Sequence, residues 1–417
     1  MTRRTLFGIV LLTTCFLGLG LASAAAQPID WDKAKQLRQR MLQGERLTEE
    51  ERAYLDRARQ ALQAKAKPRT LEPIKPPAGL KPLTDMRADD RYKGQDGGLY
   101  GGGRNDPPEK HRQAALREAK RIRPLDAEGR PAGEGKIVLV SIGMSNTTQE
   151  FSAFVRLANA DPAKSPDVLV VDGAQGGMDA RAWAEPQKLN RPGAPDPWKV
   201  LDERLRQAAV SARQVQAAWV KQARITPGTI GEFPKHAEEM KGHMVTILHK
   251  LKDRFPSLRI AYLSSRIYAG YAKTPLNPEP YAYESAFVVR WLIEDQIKGE
   301  SSLNFDPEQG AVNSPLLLWG PYLWADGEKG RTSDRLVWKP EDLAADGTHP
   351  SDSGRRKVAE LLLGFMKTDP TAKAWFTKEG TRSDPASRAG GNDTSVTRES
   401  EAKVTEEPDW KQASTAP

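Results

Sequence analysis

Residues 136–142 read KIVLVSI and run directly into Gly143-Met144-Ser145-Asn146. The run is short, almost wholly apolar and rich in β-branched residues. That is the pattern of a strand buried on both faces rather than one with a wet side. Phe151, Phe154, Val155 and Ala158 then recur at helical spacing. Residues 143–146 are therefore a strand-to-helix turn.

The same unit repeats along the chain. DVLVV (167–171), VQAAWV (215–220), RIAYLS (259–264) and PLLLWG (315–320) read as four more buried strands. Between them lie helical stripes: Trp198, Leu201, Leu205, Ala208 and Ala212; then Met240, Met244, Ile247, Leu248 and Leu251; then Phe287, Val288, Trp291 and Leu292 in a helix around 284–298. Val358, Leu361, Leu362, Phe365 and Met366 stripe a last helix. Alternating strands and helices with doubly buried strands mean a parallel sheet covered on both faces. We expect an α/β domain over 131–377, a three-layer α/β/α sandwich around a five-stranded parallel sheet in flavodoxin-like order. In such sheets the chemistry gathers at the carboxyl ends of the strands.

Three strand-end segments carry residues suited to chemistry. Ser145 sits where a helix begins, so free amides and the positive end of the helix dipole favour an oxyanionic species beside it. After the second strand comes Asp172-Gly173-Ala174-Gln175-Gly176-Gly177-Met178-Asp179, and the paired glycines let backbone amides approach a ligand. Before the last helix comes Asp346-Gly347-Thr348-His349-Pro350. A carboxylate three residues from a histidine can hold the imidazole in one tautomer, which leaves the other nitrogen to accept a serine proton. An ordinary turn, a helix cap and a surface histidine explain each segment singly, and the combination is what carries weight. The chain has five histidines. His236, His243 and His249 are six or seven residues apart and lack the i, i+4 metal pair, so no metal site is expected; no organic cofactor is implied either.

Together the strand-end serine, the glycine loop and the C-terminal D-x-x-H resemble the SGNH, or GDSL-like, hydrolases over residues 136–367. The G-x-S-N form at Ser145 is closer to the sialate and carbohydrate acetylesterase branch than to GDS lipases, and DGTHPSDSGRRKVAELLL matches the family's last block. The resemblance implies Ser145 as nucleophile, His349 as base and Asp346 as its partner. It also implies an oxyanion hole that includes the amides of Ser145 and Gly177. One block departs: the family's asparagine after strand three is absent from WVKQAR, and Gln222 or Lys221 must stand in. Gln222 is the closer substitute, as a neutral amide. The implied function is a secreted serine esterase that hydrolyses O-esters, acetyl groups on extracellular carbohydrate above all, through an acyl-enzyme. A domain of this type that binds glycan or a protein partner without cleaving it is the alternative, and a lipase or thioesterase is another.

The flanks read differently. MTRRTLFGIVLLTTCFLGLGLASAAAQ has the anatomy of a signal peptide over 1–26, which predicts export to the periplasm or beyond; an uncleaved anchor is the other reading. The sole cysteine, Cys15, lies in it, so the mature chain holds no disulfide and no thiol nucleophile. Residues 27–66 predict a small helical hairpin, with Thr48 and Glu51 as a capping box. Proline-rich sequence and GGLYGGG make 67–130 read as linker plus a charged segment. From 378 to 417 almost nothing is apolar, which predicts a disordered tail. The 417 residues are 38% hydrophobic and carry a net charge of +8 spread without a basic block, so nucleic acid is not an expected partner. The aromatic, proline-rich stretch YAGYAKTPLNPEPYAYE (268–284) falls after strand four and reads as a substrate-binding loop. Trp219, Trp291, Trp319 and Trp338 read as core rather than as a sugar platform.

Overall fold

The computed structural model describes residues 29–42, 45, 47–65, 74–188 and 195–382. The expected signal peptide and nearly all of the expected tail lie outside the described residues. The chain divides into two units, residues 1–69 and 70–417.

In the first unit, α1 (Trp31–Leu42) and α2 (Glu49–Lys65) pack through Leu37, Leu47 and Leu55, with Tyr54 alongside. The capping box forms as its sequence suggests. Glu51 N donates to Thr48 Oγ1 at 3.2 Å, and Thr48 N donates back to Glu51 Oε2 at 2.9 Å. Arg40 reaches across to Glu45 and Glu51, each at 2.6 Å.

The second unit contains α3 (Glu109–Lys120), β1 (Ile137–Gly143), α4 (Ser145–Ala160), β2 (Val168–Val171), α5 (Ala180–Ala184), α6 (Pro197–Gln207) and β3 (Val215–Lys221). It continues with α7 (Lys235–Arg254), β4 (Ile260–Ser264), α8 (Tyr281–Ile297), β5 (Leu316–Trp319), α9 (Asp352–Thr368), α10 (Pro370–Phe376) and α11 (Lys378–Arg382). The sheet is parallel throughout, in the order β2-β1-β3-β4-β5, and forms the middle of a three-layer α/β/α sandwich. The register pairs Gly143 with Lys221, and Lys221 with Ser264. The ends of β1, β3 and β4 are thereby level.

Alternation along the strands sorts side chains between the layers. Trp219 stacks on Phe151 of α4 with ring centroids 5.6 Å apart. Tyr262 meets Thr371 of α10, oxygen to oxygen, at 3.2 Å. Both belong to the layer that holds α4, α9 and α10, while α5, α7 and α8 pack on one another. Trp219 and Trp338 are fully buried, Trp319 nearly so, and Trp291 packs half-buried against the core.

The linker reading of 67–130 is corrected wherever that segment is described. Residues 74–130 fold onto the sheet domain, and Leu80, Leu83, Met86 and Tyr100 enter its core. The Tyr92 ring stacks on Phe287 at 5.6 Å, and its hydroxyl donates to Glu284 at 2.6 Å. Lys93 Nζ and His236 Nε2 meet the same buried carboxylate at 3.0 and 2.7 Å. Trp319 Nε1 donates to the Leu99 carbonyl at 2.7 Å. The segment is a strap held by a few well-separated anchors, and its glycines supply positive-φ turns between them. The charged segment is largely α3, which buries Ala114, Ala115 and Ala119. At the other end the domain reaches past 377. The Lys378 amide donates to the Ala163 carbonyl at 2.9 Å, so α11 belongs to the fold rather than to a tail.

Truncation tests this correction. Removing residues 1–69 should leave the thermal unfolding of the sheet domain unchanged. Removing residues 1–105 strips four or more buried anchors worth about 1.5–3 kcal/mol each, comparable with the whole stability of a domain at roughly 5–15 kcal/mol. The longer truncation should yield insoluble or unfolded protein by circular dichroism, and a cooperative melt from it would restore the linker reading.

Candidate active site

The site begins at a crowding constraint. A Cβ on Gly143 would lie 2.3 Å from both the Lys221 carbonyl and the Thr147 hydroxyl. Only glycine lets β1 leave the sheet there, against β3 and the first turn of α4. Met144 continues in extended geometry, and α4 starts at Ser145. As the first helical residue, Ser145 has no intrahelical acceptor for its amide, which stands at the positive end of a helix of 16 residues.

His349 arrives from 204 residues away, and its Nε2 is 2.8 Å from Ser145 Oγ. Its Nδ1 is 2.5 Å from Asp346 Oδ2. Asp346 Oδ1 accepts the amides of Thr348 and His349, each at 3.0 Å. Burial alone would raise the Asp346 pKa, but the imidazole hydrogen bond and the two amides outweigh it and hold the carboxyl down at about 2. An ionised Asp346 must accept, so Nδ1 carries the proton and Nε2 is free to take one from the serine. The carboxylate therefore favours the fold from above its unfolded pKa and loses that effect only as pH falls toward 2. The loop is shaped by Gly347, at φ +66°, where a Cβ would collide with the Tyr271 carbonyl.

The glycine loop after β2 is tied to the Gly143–Ser145 turn by the Gln175 backbone amide, which donates to the Gly143 carbonyl at 3.0 Å. Beneath it, Asp172 accepts hydroxyl hydrogens from Ser141, Thr148 and Ser152 at 2.6, 2.7 and 2.8 Å. Burial pushes the Asp172 pKa up, opposed by Arg204 and these hydroxyls. Gly177 takes φ +79°, and among the described residues its amide has no acceptor.

Of the two stand-ins after strand three, Lys221 is engaged elsewhere. It is fully buried, with Nζ 2.8 and 2.5 Å from the two oxygens of the equally buried Glu150. Burial pushes Lys221 down to about 8 and Glu150 up, and their mutual contact opposes both shifts. Gln222 follows on the strand beside the Gly143–Met144 turn and is buried, and neither atom of its amide has a hydrogen-bond partner.

Sequence reasoning missed a row of buried polar groups at the same edge. Asn146 Nδ2 donates to the Thr348 carbonyl at 3.0 Å, and Arg266 Nη2 donates to that same carbonyl at 3.3 Å. Arg266 Nε donates to Asn277 at 3.1 Å, and Asn277 donates on to the Arg224 carbonyl at 3.1 Å. Arg224 pairs with Asp179, the cap of α5 at the end of the glycine loop. The stretch 268–284 spans this row and then enters α8 at Tyr281, earlier than its spacing suggests. Asn146 stood in the quoted G-x-S-N motif; Arg266 and Asn277 carried no local signal. Three other histidines are spent on structure: His111 on the Leu317 carbonyl, His249 on that of Ser302, and His236 on Glu284. Among the described residues no three His, Cys, Asp or Glu side chains are grouped to hold a metal ion.

Two substitutions probe this arrangement. Asp346→Asn removes the acceptor that fixes the imidazole tautomer and should lower turnover by roughly ten-thousand-fold with the fold intact. Lys221→Ala strands the Glu150 carboxylate and should destabilise the protein by about 3–5 kcal/mol in denaturant melts. A Lys221→Ala protein of normal stability but poor turnover would instead make that lysine part of the chemistry.

The family models and curated proteins compared with this chain give no match to it.

Proposed function

We propose that the protein is a serine ester hydrolase of the SGNH type, acting on O-esters through an acyl-enzyme. The observation that carries the reading is the continuous Ser145–His349–Asp346 hydrogen-bond relay, at 2.8 and 2.5 Å, at the carboxyl edge of a parallel sheet. In the proposed reaction Ser145 Oγ attacks the ester carbonyl carbon while His349 Nε2 takes its proton. The resulting oxyanion collapses, the carbon–oxygen bond to the alcohol breaks, and His349 returns the proton to the departing alkoxide. Water then repeats the sequence on the acyl-serine and releases the carboxylic acid. Asp346 stays ionised throughout and stabilises the imidazolium. The oxyanion is received by the amides of Ser145 and Gly177 and by the side chain of Gln222. The Gln222 role is favoured by its unpartnered amide, which would gain a hydrogen bond that the resting protein lacks.

Acetyl esters of an extracellular carbohydrate are the proposed substrates, on the strength of the G-x-S-N resemblance and the export-type N-terminus. No helix among the described residues is long and apolar enough to cross a membrane.

A fluorophosphonate should label the wild-type protein, and Ser145→Ala should abolish both the label and acetyl-ester hydrolysis. Gln222→Ala should lower turnover by about a hundred- to a thousand-fold. Labelling that survives Ser145→Ala names the wrong nucleophile. A folded protein that binds glycan and never labels is a binding domain, and a rate that climbs with acyl chain length marks a lipase or thioesterase.

A further inference from the structure

Ser145 and His349 are supplied by segments 204 residues apart, so something must hold the two loops in register. We infer that Asn146 and Arg266 are positioning residues that jointly grip the Thr348 carbonyl and thereby aim His349 at Ser145. The inference deepens the esterase reading and rests on it for the catalytic consequence.

The geometry is specific. Asn146 is the residue after the nucleophile and Thr348 is the residue before the base. Their 3.0 Å hydrogen bond is thus a direct tie between the two reacting side chains' own backbones. Arg266 leaves the end of β4 and reaches the same oxygen at 3.3 Å. Both donors and the acceptor are at least 98% buried, so water does not compete for these bonds. Arg266 is itself braced by Asn277 at 3.1 Å. Among the described residues Arg266 has no direct carboxylate partner, although Glu150, Glu279 and Asp346 lie close enough to favour its charge. A buried cation that is not spent on an ion pair is a costly choice if its task were only packing.

The other side of the same peptide completes the device. The His349 amide donates to Asp346 Oδ1 at 3.0 Å, and Asp346 Oδ2 holds the imidazole. The Thr348–His349 peptide is therefore pinned at its oxygen by α4 and β4 and at its nitrogen by the carboxylate that orients the ring. Losing either oxygen donor lets this plane rock, and the ring moves with it.

The test compares wild type, Asn146→Ala, Asn146→Asp, Arg266→Lys and the Asn146→Ala/Arg266→Lys double variant. Ester turnover, fluorophosphonate labelling rate and the nuclear magnetic resonance signal of the His349 Nδ1 proton are measured in each. Each single change should lower kcat roughly ten- to hundred-fold, with KM nearly unmoved. Asn146→Asp keeps the volume but loses the donor, so it should be no better than Asn146→Ala. Because both residues act on one carbonyl, the double variant should fall by less than the product of the singles. The His349 proton should shift and exchange faster in every variant. Unchanged kcat with an unchanged His349 signal overturns the inference, and so does a rise in KM at constant kcat, which would place these residues in substrate binding. If Arg266→Lys fails to fold, the two Asn146 variants decide. If the wild type neither turns over esters nor labels, the esterase reading fails, while the His349 signal still decides the positioning.

Discussion

The close approach of β1 to β3 at Gly143 is the constraint from which the site follows. A side chain there would strike the Lys221 carbonyl and the Thr147 hydroxyl, so the two strands could not end level with each other. Because they do, α4 begins at Ser145, directly after the extended Met144, and the Ser145 amide has no intrahelical acceptor. The Gly143 carbonyl takes up the Gln175 amide and the Trp183 indole, each at 3.0 Å. One compact turn thus locates Ser145, the glycine loop and the end of β3.

Under that turn the protein keeps charges where apolar side chains would pack more cheaply. The Glu150–Lys221 pair is fully buried between α4 and β3, and Asp172 gathers three hydroxyls from β1 and α4. Replacing such a pair with hydrophobic residues of like volume is often neutral or stabilising, so its presence is not explained by stability. Its effect here is directional. Lys221 is drawn toward α4, and Gln222, one residue on, is left as the strand-end group with no partner. Alternation along a strand allows that division, and Glu150 selects which of the two residues is spent.

Much of this was legible in the sequence, for stated reasons. All five strands are short apolar runs whose burial on both faces leaves no alternation to mislead, and the strand–helix alternation implies that they run parallel. D-x-x-H was legible because the imidazole and the carboxylate that holds it lie within one loop. The stripe through Ala208 and Ala212 was overread, since α6 stops at Gln207. The strap was not legible, because Leu80, Leu83 and Met86 make only a short run among prolines and Tyr92 and Tyr100 continue it at no fixed period. Composition therefore registered the prolines and glycines between them. Gln222 was preferred on its amide chemistry alone; that Lys221 is engaged by Glu150, 71 positions away, left no local signal. Arg266 and Asn277 escaped for the same reason: a buried hydrogen bond between distant loops leaves no local pattern.

What joins the legible and illegible parts is a single peptide plane. Its carbonyl, at Thr348, draws on two buried donors, and its amide, at His349, feeds the carboxylate that holds the imidazole. Hydrogen bonds in series through one amide polarise each other, because each donor at the oxygen makes the N–H a better donor. Asp346 thereby accepts from an N–H whose own carbonyl is already engaged. The order of dependence is therefore inverted relative to the sequence motif. Asp346 orients His349, yet the orientation of Asp346 itself is fixed by a peptide that α4 and β4 hold from the far side. A triad read as three residues is mechanically one piece of the sheet's carboxyl edge.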